Sequence, residues 1–215
     1  MLQNIIQTTP DYETLNVNQG TAYSTGRSMN TTSTVCCQAK LDVPSAVVFA
    51  SADINVTENT LTKAGSVLWT GVKGQFTTSG TLPTGISAAT NYWIILVDLT
   101  TGTYKVATSL SNALAGTAVD ITGAGTGNQT FTPTTLSGGV INFQKTNVLS
   151  ASSNTLSTTA ADWTDIDADT AVSADATVWF AKIGPEYMGW RVRGTASDGA
   201  FQVKLYIVSR GEDKK

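Results

Sequence analysis

Apolar and polar residues alternate with a period of two in several short runs of this chain. The clearest sets Phe201, Val203, Leu205 and Ile207 against Gln202, Lys204, Tyr206 and Val208. A period of two puts each set on its own face of a strand, so this run predicts a strand central in a sheet with one face buried. Val192 between Arg191 and Arg193 repeats the in-and-out logic and predicts a hairpin partner, joined through a turn at residues 197–199. Two more strands are predicted where Val140, Asn142 and Gln144 alternate with Ile141, Phe143 and Lys145, and where Val178 and Phe180 alternate with Trp179 and Ala181. Near the start, TAYSTGRSM and STVCCQAKLDV read as strands, the second setting Thr34, Cys36 and Gln38 against Val35, Cys37 and Ala39.

Between Ala46 and Gly139 the texture differs. Short β-prone runs at 47–49, 54–56 and 67–69 are separated by Gly, Asn and Ser, the spacing of a small barrel or meander. NYWIILVDL and GTYKVATS predict a hairpin turning at 99–103. Its first strand puts Tyr92, Ile94 and Leu96 on one face and Trp93, Ile95 and Val97 on the other, which predicts burial on both sides. Thr108 or Ser109 can cap a short helix from Leu110 to Ala115, ended by Gly116. A further strand, TAVDIT, and a flexible GAGTG connection then lead into QTFTP.

These elements predict an all-β fold: a β-sandwich formed by residues 1–45 and 140–215, interrupted at 46–138 by a small β-barrel or meander module with one short helix. The first 45 residues hold too few strands to close a sandwich alone. The rival arrangement is two consecutive domains with an N-terminal arm lying along a neighbouring subunit. Composition agrees with strands: 36 of 215 residues are Thr, whose branched side chain suits a pleated surface. At 41% apolar and 13% charged residues the chain reads as globular.

A net charge of −3 gives little for a phosphate backbone to bind, so nucleic acid is not an expected partner. No basic leader with a long apolar region follows the start, and no apolar run approaches bilayer-spanning length. The expectation is a protein made in the cytoplasm, with no membrane partner. The only cysteines, Cys36 and Cys37, are adjacent and would face opposite ways in a strand, which predicts two reduced thiols. Sequons at Asn30, Asn55 and Asn128 mean little without a secretory route.

The chain has no histidine, which removes the commonest general base and every Ser-His or Cys-His pair. Carboxylate-only glycoside hydrolysis would draw on Asp162, Asp165, Asp167, Asp169 and Asp175, and would need two of them across a cleft. Asp165, Asp167 and Asp169 also reproduce the opening of a calcium loop. Thr170 and Ala176, however, stand where the turn glycine and the bidentate glutamate belong, so a solvated acidic loop is expected and no cofactor or metal is predicted. The glycines at 123–127 precede no helix N-terminus and have no phosphate-binding lysine. Tryptophans 69, 93, 163, 179 and 190 read as core and interface anchors, with a sugar-stacking platform as the alternative.

The stretch TLPTGISAATNYWIILVD followed by TYKVATSLSNALAGTAVDITGAGTGNQTFTP resembles a module recurring in structural proteins of tailed bacteriophages, with coverage of roughly residues 46–134. Trp93 replaces a tyrosine of the usual pattern, and Asn128 and Gln129 replace a pair that usually includes histidine. The end of the chain, with ADWTDI and VSADATVWFAKIGPEYMGWRVRG, looks like the β-sandwich that often accompanies the module. The resemblance implies a non-enzymatic virion component, foremost a capsid decoration or cement protein that binds neighbouring coat subunits and forms a homo-oligomer on the particle. A neck or tail component, as ring or adaptor, and a receptor- or glycan-binding tail module are the alternatives. No heptad or hexapeptide repeat points to a fibre shaft.

Overall fold

The computed structural model describes residues 11–17, 20–23, 27–28, 33–42, 44–134, 139–150, 155–166, 170–172, 177–183, 189–196 and 198–211. The strands begin with β1 (Asp11–Val17), β2 (Gly20–Tyr23), β3 (Arg27–Ser28) and β4 (Ser33–Asp42). They continue with β5 (Val47–Ala50), β6 (Ile54–Asn55), β7 (Thr60–Thr62), β8 (Lys73–Thr78), β9 (Asn91–Asp98), β10 (Thr103–Ala107) and β11 (Asn128–Pro133). One helix, α1 (Leu110–Ala115), lies between β10 and β11. The last strands are β12 (Gly139–Thr146), β13 (Thr164–Asp165), β14 (Thr170–Val172), β15 (Thr177–Ile183), β16 (Gly189–Ala196) and β17 (Phe201–Gly211). The fold is all-β and sandwich-like.

The chain divides into two compact units. One is Met1–Asp42 with Gly138–Thr195 and Gln202–Lys215; the other is Val43–Ser137 with Ala196–Phe201. The short piece Ala196–Phe201, which the alternation pattern alone assigns to the sandwich, groups with the second unit.

In the first unit, one sheet has the order β1-β17-β4-β15 and the other β13-β12-β16-β2, with β14 pairing β12 and β3 pairing β16. Strand β17 is central, as its alternation predicts, and pairs with β4 from Gln202↔Asp42 to Gly211↔Ser33. Its expected hairpin with β16 does not form, because the two strands belong to different sheets. The backbone of the turn is bonded elsewhere: Ala200 N donates to Gly71 O at 2.9 Å, and Asp198 O accepts from Trp93 Nε1 at 2.9 Å. Where the sheets of the first unit meet, Val17 of β1 is fully buried and fills the space a side chain on Gly194 of β16 would need. On the same face of β12 and β16, Phe143 and Trp190 stack with centroids 6.1 Å apart and planes 17° apart. Burying each such ring stabilises by roughly 1.5–3 kcal/mol relative to exposure. The cysteines fall in β4, and the prediction about their side chains lies outside the described residues.

In the second unit, a seven-stranded sheet has the order β5-β11-β8-β9-β10-β7-β6. Its two outermost strands, β5 and β6, are separated in sequence only by the 3-10 turn Ser51–Asp53. Seven strands laid flat would hold the outer pair roughly 29 Å apart at the usual strand spacing. The connection spans no more than about 14 Å. The sheet therefore rolls until its first and last strands approach, and Asp53 Oδ2 secures the corner by accepting from Ala50 N at 2.8 Å. Inside the roll Phe76 lies opposite Phe131, with centroids 5.1 Å apart, and meets Tyr92 edge-on at 6.0 Å.

The hairpin of β9 and β10 is buried on both faces around Ile94 and Ile95, but Val97, which the pattern also places on the second buried face, is exposed near the end of β9. Tyr92 and Ile94 join the interior, while Ile95, Ala107 and Ala113 form a separate cluster beneath α1. Ser109 Oγ accepts from Asn112 N at 3.1 Å, and Gly116 ends the helix at φ +75°, as predicted. Two expected strands are absent. At 67–69, Leu68 N donates to the Tyr104 hydroxyl rather than to a neighbouring strand. At 117–122, the amides of Val119, Ile121 and Thr122 go to Val106 O, the Asn59 side chain and Thr84 O, three partners that form no common ladder. The GAGTG connection is bonded rather than loose: Thr126 and Thr81 exchange backbone hydrogen bonds, and Thr84 N donates to Gly123 O.

Candidate functional site

Alternation along β12 and β16 sends Ile141, Phe143, Trp190 and Val192 to one face of their sheet and Asn142, Gln144, Thr146, Arg191 and Arg193 to the other. A polar face normally meets water. Here Asn142, Gln144, Thr146 and Arg191 are each 5% exposed or less. Burying polar groups at this density is costly unless they are hydrogen-bonded, so this layer is the part of the described structure whose chemistry most exceeds what packing requires.

The segment after β12 supplies part of the cover. Thr146 Oγ1 donates to Asp162 O at 2.7 Å and accepts from Val148 N at 3.0 Å. Ser157 Oγ bonds the Asp162 carboxylate, and Trp163 Nε1 donates to Ser157 O at 2.9 Å. These bonds fix the Trp163 ring. The chain then enters β13, which returns to β12 with Asp165 opposite Gln144.

At the centre Gln144 and Arg191 are direct cross-strand partners. Arg191 Nε donates to Gln144 Oε1 at 2.8 Å, and Gln144 Nε2 donates to Asp165 Oδ1 at 2.8 Å. The other carboxylate oxygen of Asp165 lies 3.1 Å from Arg193 Nη2. The Arg191 guanidinium carbon lies over two ring faces, 3.8 Å from the centroid of Tyr23 and 4.4 Å from that of Trp163. Its Nη2 is buried and has no hydrogen-bond partner among the described residues. Burial pushes the guanidinium below its ordinary pKa; Tyr23 opposes that shift and Arg193 adds to it. An arginine nonetheless keeps its charge, so the group offers directed donors and a positive field rather than proton transfer.

Of the acidic residues flagged in the sequence, Asp162 and Asp165 are structural members of this layer. Asp167, Asp169 and Asp175 lie outside the described residues. Among the described residues no group of three or more Cys, Asp or Glu converges as metal ligands would. Trp69, Trp163 and Trp190 are buried, and Trp93 is half-buried with its indole N–H bound to Asp198 O. Trp179 falls in β15, and its side chain is outside the described residues.

Sequence reasoning missed Gln144, Arg191 and Tyr23. Alternation assigns Arg191 to the outward face correctly but carries no signal that Tyr23 and Trp163, distant in sequence, cover it. No helix among the described residues is long and apolar enough to cross a membrane. Compared with protein-family models, curated proteins and solved structures, the chain finds no match.

Proposed function

We propose that this chain is a non-enzymatic structural component of a tailed-phage virion, foremost a capsid decoration or cement protein that binds neighbouring coat subunits. The observation that carries the reading is a coincidence of boundaries. The stretch that resembles the recurring phage module, residues 46–134, folds almost entirely as one compact unit, Val43–Ser137 with Ala196–Phe201. A transferable module has to bury its own core, and this one does so by rolling its sheet.

The glycan-binding alternative calls for exposed Trp69 and Trp93; Trp69 is instead part of the core, and Trp93 is half-buried with its indole N–H given to Asp198 O.

The test is reconstitution. Particles produced without this chain are mixed with the purified protein, and capsids are separated from tails before bound chain is measured. Saturable binding to capsids is expected. Binding to tails alone would favour a neck or tail component, and binding to neither would overturn the virion reading.

A further inference from the structure

We propose that Arg191 is the receptor of a carboxylate-binding site, with Tyr23 as its movable cover. Four observations meet there. The guanidinium is buried, and its carbon lies over the Tyr23 and Trp163 rings. Its Nε is taken by Gln144 Oε1, whereas Nη2 has no acceptor among the described residues. The nearest carboxylate in its network, Asp165, is already engaged by Arg193 Nη2 and Gln144 Nε2. Tyr23 is 39% exposed, in contrast to Trp163, which is 6% exposed and tied through its indole to Ser157.

A buried cation with an open donor is expensive, because its lost hydration is only partly replaced by ring faces and one amide oxygen. Deprotonation offers no escape for an arginine. The charge and the free Nη2 donor together call for an anionic acceptor. The two rings lie close to the guanidinium carbon and Nη2 is itself shut off from solvent, so a ligand gains access to that donor only if part of the cover moves. A planar carboxylate pairs with a guanidinium, and its smaller bulk suits a space walled by two rings better than a tetrahedral phosphate does. The acceptor reaches Nη2 only when Tyr23, the exposed ring, turns away. Trp163 stays in place as the fixed wall. The site does not depend on the virion reading and can fail or stand without it.

The experiment follows the Arg191 Nε–Hε NMR resonance of the full chain during titration with sodium acetate, with sodium chloride and inorganic phosphate at matched ionic strength as controls. A glutamate-bearing tripeptide with blocked termini forms a second carboxylate arm. A saturable shift with acetate, absent with chloride and weaker with phosphate, is expected. In Tyr23→Ala the midpoint should fall to lower acetate; a cover open one tenth of the time predicts a fall of about tenfold. Saturation by the tripeptide at lower concentration than acetate would identify a protein side chain as the source of the carboxylate, and the reverse order would identify a small acid. The proposal is overturned if the resonance moves no more with acetate than with chloride in both wild type and Tyr23→Ala, or if phosphate binds more tightly. Unchanged amide spectra elsewhere in Tyr23→Ala keep a folding defect distinct from a lost site.

Discussion

Gln144 and Arg191 face each other across β12 and β16, and the amide oxygen of one accepts from the guanidinium Nε of the other at 2.8 Å. Because the same amide donates to Asp165, Gln144 holds a cation and an anion at once. Gln144→Leu should lower stability by about 2–3 kcal/mol, the cost of leaving a buried charged donor unpaired. Adding Arg191→Met removes that orphaned charge, so the double variant should be no less stable than Gln144→Leu alone. Urea denaturation of the two variants checks this; a further additive loss would show that Arg191 stabilises independently of Gln144.

Tyr104 acts as a substitute strand partner for the segment at 66–68. Its hydroxyl donates to Ser66 O at 2.8 Å and accepts from Leu68 N at 3.3 Å, while the ring packs edge-on against Phe49. Tyr104→Phe keeps the ring and removes these bonds together with the 3.0 Å contact to Ser66 Oγ. A loss of about 1–3 kcal/mol is expected, together with faster hydrogen exchange at the Leu68 amide. Exchange at Leu68 that stays as slow as in wild type would contradict this role.

Gly116 and Gly125 share a left-handed backbone, with φ of +75° and +70°. A side chain at Gly116 would meet open space, whereas one at Gly125 would run into the Thr81 carbonyl. Gly116→Ala should cost only the backbone preference, about 1–2 kcal/mol. Gly125→Ala should cost clearly more, measured in the same denaturation series, because the Thr81–Thr126 pairing has to open.

At the β9–β10 turn, Asp98 Oδ1 accepts from Thr100 N at 2.8 Å. That bond, helped by Thr101, holds the Asp98 carboxyl below the ordinary aspartate value. A folded-state value depressed below the unfolded one contributes stability above the unfolded value, and the contribution disappears as pH falls through the folded value. Carbon-detected titration of Asp98 should therefore give a midpoint below that of a denatured reference peptide. A midpoint at or above the reference would rule out the turn hydrogen bonds as its cause.

What could be read from the sequence was what local physics decides. The helix from Leu110 to Ala115 was legible because Ser109 and Gly116, its immediate neighbours, supply both caps. The two-faced burial of β9 around Ile94 and Ile95 was legible because its apolar run leaves no polar side, whereas the exposure of Val97 near the end of the strand was not. Elements whose hydrogen bonds go to distant side chains were not. Residues 67–69 and 117–122 have β-like composition, yet their amides are bonded by Tyr104, 36 residues from Leu68, and by Asn59, 62 residues from Ile121. The turn after β16 looks like a hairpin loop, and only its bonds to Gly71 and Trp93 show why it passes between sheets instead. The buried polar layer was hidden for the same reason, since its cover comes from Tyr23 and from the 157–163 segment.

The most direct measurement of the proposed role is quantitative mass spectrometry of purified virions made by the genome that encodes this chain, with the major coat and tail-tube proteins as internal standards. Copies comparable in number to the coat lattice are expected of a decoration protein. A small symmetric count would move the chain to the neck or tail, and absence from the particle would contradict the virion role itself.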